Sequence, residues 1–354
     1  MHVVKARGIN DAVKQLIHDV HHFGTETKSD KGTVKEINRL LLEIERPVNR
    51  YLCIPGRKNN IYAMIAETMW VLSGTNLIEP LLSAVLPRAK DFSDDGVSWR
   101  AGYGPRLYKD GQLDTAINRL RKSPATRQSV ISIYDPALDT DSAIHAQLGV
   151  SASKDVPCNN MLYLYTDPDN RNRLNLSVIQ RSGDALWGFG SINIFEWSFL
   201  QEVVASVLGM DVGTYAHYCN NTHIYYDKPV VLRQVQDIVA NTDAVSPNMA
   251  TGMQMDIGVI HSAHDIRMFF NLVCQVMGRV AIKELDREAG MSAIRNVFET
   301  YRVARTTNKL WHYCELVVAQ LTPEEEEQID LSGYSQDLIN AVCCSTFTKF
   351  KYII

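Results

Sequence analysis

One cysteine stands where a sulfur could do chemistry. Cys158 follows a proline, precedes two asparagines, and opens the run Met161-Leu162-Tyr163-Leu164-Tyr165. Beyond the polar turn Asp167-Pro168-Asp169-Asn170-Arg171-Asn172, a second run, 174–179, ends in Gln180-Arg181-Ser182-Gly183-Asp184. Both runs read as strands: Leu174, Leu176 and Val178 alternate with Asn175, Ser177 and Ile179, and proline and aspartate punctuate the connection. Folding the hairpin between Asp169 and Asn170 puts Cys158 opposite Arg181 and Leu162 opposite Ser177, and a bulge would shift that register. A guanidinium beside a thiol favours the thiolate, and the thiolate is the nucleophile. The alternative for Cys158 is a small buried core residue, the usual state of a free cysteine. A cysteine hydrolase fits less well, because the chain shows no recognisable base partner for Cys158.

Other side chains could join it. Glu67 lies between core positions of 61–74, where Ile61, Met64, Ile65, Met69 and Leu72 fall largely on one face. A buried carboxylate there needs hydrogen-bond partners or a proton; otherwise it is a salt-bridged surface residue. Arg127 precedes the apolar strand 130–134 and offers a fork matched to phosphate, or is an ordinary loop arginine. Arg46 and Arg50 bracket a helix-breaking Pro47, where a surface charge is the plain reading. The Asn193 amide can accept one hydrogen bond and donate another, in either orientation. It also suits a helix N-cap. His223 and Tyr225, two apart, face one way on a strand, as ligand contacts or as packed residues. His18 and His22 have chelating spacing on a helix, but nothing completes the set, so a solvated face and no metal site are expected.

In this order, Pro157-Cys158, Gln180-Arg181-Ser182-x-Asp184, Gly188, Asn193-Ile194 and His223-Ile224-Tyr225 resemble the signature run of the thymidylate synthase family, which includes the pyrimidine-nucleotide hydroxymethylases. The segment Ala66-Glu67-Thr68-Met69-Trp70-Val71-Leu72-Ser73-Gly74-Thr75-Asn76 is similar to the helix that carries the family's catalytic glutamate. Residues 101–108 resemble its Tyr-Gly segment beside folate and base. The resemblance implies a folate-dependent one-carbon transfer to carbon 5 of a pyrimidine nucleoside monophosphate. Cys158, Glu67, Arg181 and Tyr103 would be catalytic. Arg127, Arg181, Ser182 and Arg46 or Arg50 would hold the phosphate, Asn193 the base, and His223 and Tyr225 the sugar hydroxyl. Asp184 and Trp70 would meet the co-substrate 5,10-methylenetetrahydrofolate. Family members carry two adjacent arginines that reach across a dimer; this chain keeps Arg127, followed by Gln128, and a homodimer is expected.

A thiolate adding to carbon 6 of the ring makes carbon 5 enolate-like, ready to attack a one-carbon electrophile. Asn193, with waters ordered by Glu67, would stabilise charge on the ring carbonyl. Loss of the carbon 5 proton then gives an exocyclic methylene. Hydride from the folate would make a methyl group, and water a hydroxymethyl group. Four departures point to water: only Trp99 stands where thymidylate synthases place two tryptophans, Asn159 replaces a histidine, one residue is inserted between Asp184 and Asn193, and the C-terminal tail differs. The expected activity is therefore a (d)UMP/(d)CMP 5-hydroxymethylase, with uracil favoured by the resemblance. The alternatives are thymidylate synthase and a catalytically silent nucleotide-binding homologue.

These residues need a scaffold. A mixed sheet with helices packed on one face, α/β (α+β) in class, is expected over 1–230, with a largely helical extension over 231–354 packed on the same domain. Val13, Leu16, Ile17 and Val20 predict a helix over 11–23, and Ile37, Leu40, Leu41 and Ile44 a second. Between them 24–32 reads as a polar loop. Gly190 and Ser191 read as a small, flexible loop before a helix over 195–208. Ile266, Phe269, Phe270, Val273, Cys274 and Met277 predict a long buried helix, and Thr322-Pro323-Glu324-Glu325 a helix start. The 354 residues are 45% hydrophobic and 21% charged, ample for a large core. Net charge −4 argues against nucleic acid or membrane surfaces as partners. Seven irregularly spaced cysteines read as reduced thiols. No apolar run reaches the ~20 residues of a membrane span, and no signal peptide is evident, so a cytoplasmic location is expected.

Overall fold

Apolar side chains at every second position build the centre of the molecule, a mixed sheet of eight strands. A computed structural model describes residues 1–241, 255–306, 308–323 and 328–354. The strands are β1 (His2–Ala6), β2 (Thr25–Ser29), β3 (Gly32–Ile44), β4 (Val130–Ser132), β5 (Asn159–Thr166), β6 (Arg173–Gln180), β7 (Gly183–Asp184) and β8 (Asp211–Tyr225). Their order is β1-β3-β8-β6-β5-β4, with β2 beside β3 and β7 beside β8. A separate parallel pair joins β9 (Gln328–Asp330) and β10 (Lys351–Ile353).

One face of the sheet is sealed. The cross-strand rows Leu162–Val178–His217–Leu42 and Leu164–Leu176–Tyr215–Ile44 are fully buried. The alternate row Met161–Ile179–Tyr218–Leu41 points the other way and is half-buried. In chain order the helices are α1 (Ile9–Phe23), α2 (Ile61–Leu72), α3 (Leu81–Val85), α4 (Tyr103–Tyr108), α5 (Gln112–Lys122), α6 (Pro136–Asp139), α7 (Asp141–Leu148), α8 (Ile194–Leu208), α9 (Pro229–Ala240), α10 (Ala263–Ala281), α11 (Arg287–Thr300), α12 (Lys309–Leu321) and α13 (Gln336–Cys344). α1 packs on β3 and α8 on β6 and β8, while α2 lies between α8 and the later helices α10 and α12. A buried ionic contact crosses from the later residues to the earlier ones: Lys309 Nζ reaches the Glu202 carboxylate at 2.6 Å, the same carboxylate that Arg50 Nη2 reaches at 2.6 Å.

Four expectations change. The helix predicted from Ile37, Leu40, Leu41 and Ile44 is instead the long strand β3. Its alternation is interrupted at Arg39, where φ is 59°, and this break imitates helical spacing. Pairing with β1 on one side and β8 on the other decides the outcome. The polar loop over 24–32 contains β2, which makes a hairpin with β3. Leu162 faces Val178 rather than Ser177. The supposed flexible loop around Gly190 is a π-helical turn, Gly188–Asn193, that leads into α8. Such a turn takes up one extra residue without breaking the helix, as the insertion expected between Asp184 and Asn193 would require. Gly190 is required there, because a Cβ would lie 1.8 Å from the Ala185 carbonyl oxygen. The predicted helix start at 322–325 runs into residues outside those described; Thr322 itself follows α12, and its hydroxyl donates to Val318 O at 2.9 Å.

Candidate active site

The hairpin that carries Cys158 has a bulge near its mouth. Met161 pairs with Ile179, yet Asn159 pairs with Gln180. The bulge cancels the one-residue offset farther along, so Cys158 does meet Arg181: the Arg181 N–H donates to Cys158 O at 2.9 Å. The guanidinium turns to the approaching chain. Its Nε donates to Pro157 O at 2.9 Å and its Nη2 to Val156 O at 3.0 Å. Arg181 thus braces the loop behind the cysteine, and among the described residues no hydrogen bond links it to Cys158 Sγ. The thiol is half-buried and the arginine exposed.

Around this mouth the chain gathers polar groups from five other elements. Tyr103 opens α4 and accepts from Asn159 Nδ2 at 2.8 Å, with its ring 5.3 Å from that of Trp197. Burial pushes its hydroxyl well above the ordinary range, and Cys158 and Glu196 add to the effect. Glu67 projects from α2; burial pushes its carboxyl up to about 7, although part of its surface stays accessible. Asn193 ends the π-helical turn, and its Oδ1 accepts from Gln180 Nε2 at 3.2 Å, which orients the amide. Asp184 in β7 pairs with His223 in β8. The Asp184 carboxylate accepts from the Leu186 and Trp187 N–H groups at 2.7 and 3.2 Å. Burial lowers the His223 pKa against the pull of Asp184, which favours the neutral ring. The His223 and Tyr225 rings stand 5.1 Å apart. Cys158 and Asp184 both act electrostatically on the Tyr225 hydroxyl, which closes the circle. Ser182, half-buried, lies between Arg181 and β7.

Four of the candidates lie outside this circle. Arg46 lines a pocket with Arg173 and Val212, at the opposite end of β6 from Gln180. Seven strand residues put it on the order of 20 Å from Cys158. Its alternative, Arg50, is fully buried and committed to Glu202 and Ser198. Arg127 is exposed just before the edge strand β4. Trp70 is 2% exposed, donates Nε1–H to Leu77 O, and packs edge-on against Trp99 in a small second core. Among the described residues no cluster of three metal-ligating side chains occurs, and no helix is long and apolar enough to cross a membrane.

A protein-family model described as thymidylate synthase matches residues 12–268. The chain belongs to the thymidylate synthase family. It is 33% identical over 360 residues to a deoxyuridylate hydroxymethyltransferase of Delftia phage PhiW-14, covering 99% of this chain and 98% of that one. A protein of the same name from Bacillus phage SP01 is 32% identical over 207 residues, 55% of this chain and 51% of its own. One from Pseudomonas phage M6 is 28% identical over 245 residues, 68% and 66% of the two chains. The family match ends at 268, but the likeness to the PhiW-14 protein runs on through the later helices. Membership makes the chain a one-carbon transferase that uses a pyrimidine nucleotide and a folate.

Within this thymidylate synthase family site stand residues that the sequence reading passed over. Lys31, at the β2–β3 turn, lies within electrostatic reach of His223. It was hidden because the turn read as a loop. Arg57 is 5% exposed; its Nη2 donates to Leu186 O, and its guanidinium lies 5.8 Å from the Trp187 ring centroid, so it anchors the segment that follows Asp184. Nothing in its local pattern marks it. Glu196 did leave a signal, a carboxylate in the otherwise apolar start of α8, Ile194-Phe195-Glu196-Trp197.

Proposed function

We propose that this chain hydroxymethylates carbon 5 of deoxyuridylate, with 5,10-methylenetetrahydrofolate as the one-carbon donor. The observation that carries the reading is the end-to-end likeness to the deoxyuridylate hydroxymethyltransferase of phage PhiW-14, which includes the C-terminal helices that lie beyond the family match. In this reading the Cys158 thiolate adds to carbon 6, and Asn193, oriented by Gln180, reads the base. Tyr103 and Glu67 handle protons near the ring. Arg181 and Ser182 hold the phosphate, with Lys31 in place of Arg46 as the cation from the N-terminal region. His223 and Tyr225 meet the sugar, and Asp184 meets the folate through a segment anchored by Arg57.

The enzyme works as a homodimer in this reading. Support comes from the half-buried apolar row Met161–Ile179–Tyr218–Leu41 on the open sheet face and from exposed Arg127 at the sheet edge, positioned to serve a neighbour's phosphate. Residues 1–230 form the catalytic core, 231–354 are docked on the same domain, and the protein acts in the cytoplasm without nucleic acid or membrane.

One incubation tests the activity. Isotope-labelled methylenetetrahydrofolate is supplied with each of UMP, dUMP, CMP and dCMP, and products are read by mass spectrometry. Labelled hydroxymethyl-dUMP is expected, and Cys158→Ser should abolish it. A methyl product, or no transfer together with no exchange of the carbon 5 hydrogen, overturns the proposal. Lys31→Ala is expected to raise the nucleotide KM about tenfold, the loss of one charge-assisted phosphate contact, with kcat changed far less.

A further inference from the structure

Glu196 sits in the first turn of α8, one turn beyond Asn193, and is 2% exposed. Both of its carboxylate oxygens are buried, and among the described residues neither has a hydrogen-bond partner. An ionised carboxylate in such a place carries a heavy desolvation penalty, so the group keeps a proton or shares one. The groups that face it are few. Glu67 comes from α2, which packs on α8. Tyr103 comes from α4 and Tyr215 from β8. The Asn193 amide approaches from its own helix without reaching hydrogen-bond geometry. Among the described residues no cation acts on Glu196. Burial, with Glu67 adding to it, holds its carboxyl well above the usual range, whereas Glu67 is shifted by burial alone.

We propose that Glu67 and Glu196 are a proton-sharing carboxyl pair, in which Glu196 keeps the proton and Glu67 ionises, and that Glu196 is a positioning residue for the water consumed in hydroxymethylation. Two carboxyls that act on each other in a largely buried site do not both ionise readily, so the pair titrates as a unit. Its singly protonated form holds one acceptor, Glu67, beside one fixed donor, Glu196. The water oxygen bonds to the exocyclic methylene carbon of the nucleotide. The π pair moves onto the carbon 4 carbonyl, and one water proton passes to the Glu67 carboxylate. The enolate then restores the ring double bond and expels the Cys158 sulfur as thiolate. The pair is left with two protons and returns one to solvent. The role in this step rests on the hydroxymethylase reading above; the sharing of the proton does not.

The test therefore has two arms on the full-length enzyme. In the first, infrared titration follows the carbonyl stretch of protonated carboxylic acids. The wild type should show at neutral pH a band that Glu196→Gln removes, and Glu67→Gln should move its titration to lower pH by taking away the neighbouring charge. A neutral-pH band unaffected by Glu196→Gln, or a titration unmoved by Glu67→Gln in a variant whose melting curve shows it folded, overturns the pair. In the second arm, hydroxymethyl product formation is measured against pH. Glu196→Gln should lower kcat about 100-fold, the low end of lost acid–base assistance, and should erase the limb of the profile that belongs to the pair's second ionisation. A curve lowered uniformly, with its shape kept, assigns Glu196 a packing role and overturns the proposal. If the wild type instead makes a methyl product, the hydroxymethylase reading fails while the infrared arm still decides the pair.

Discussion

At the scale of single residues, the site is held at the expense of stability. Glu67 titrates at about 7 in the folded chain against 4.5 when unperturbed. The folded state therefore binds the proton more tightly than the unfolded state does. Below the unfolded value both states are protonated and there is no penalty. As pH rises from about 4.5 to about 7 the unfolded chain ionises first, and stability falls through that window. Glu67→Gln should thus stabilise the protein by on the order of 2–3 kcal/mol above pH 7 and by little near pH 4, while activity disappears. Denaturant unfolding of both proteins across that range checks it; a gap that does not widen with pH is the contrary result. Residues of this kind were legible in sequence because their identities occur in a fixed order along the chain: Cys158, Arg181, Asp184, Asn193, His223 and Tyr225 all come to one mouth. Arg46 and Arg50 misled because a charge beside a proline carries no information about which end of the sheet it will occupy. Glu202 claims Arg50, and Glu202 lies 152 residues away.

At the scale of elements, local pattern and long-range pairing compete. The Cys158 hairpin was readable because its turn and its alternation agree. Its register was misread by one residue in the middle and correct at the mouth, because a bulge at Asn160 restores the offset. β3 was misread because alternation breaks at Arg39, and only pairing with strands distant in sequence resolves it. The extra residue expected before Asn193 is a count in the sequence and carries no geometry. Taken up as a π-helical turn, it depends on Gly190, whose Cα hydrogen faces the Ala185 carbonyl. Gly190→Ala should force that turn open and displace Asn193 and Glu196 together. The expected loss in kcat/KM for nucleotide is about 100-fold, the scale of a misplacement near 1 Å. The melting temperature should fall by only a few degrees, because the rest of α8 remains packed. Steady-state kinetics beside a thermal melt checks this, and unchanged kinetics would show that the turn relaxes without moving the two side chains.

At the scale of the whole molecule, one arginine decides whether a single chain is enough. Arg127 is exposed at the sheet edge, apart from the circle around Cys158. The half-buried row Met161–Ile179–Tyr218–Leu41 supplies a face on which a second copy would seat itself and carry its own Arg127 to the first copy's phosphate. A closed two-fold pair then has two composite sites. Cys158→Ser alone should be inactive, and Arg127→Ala alone strongly impaired in nucleotide KM. In the proposed homodimer, co-expression would give mixed dimers in which one site takes Cys158 from one subunit and Arg127 from the other, both wild type. Random assortment should restore about one-quarter of wild-type sites. If Arg127 instead serves its own chain, the mixed dimer has no intact site, and activity stays at the level of the impaired parent. Titration of active sites in the co-expressed mixture therefore separates a composite site from a self-contained one, without requiring that either variant dimerise less well.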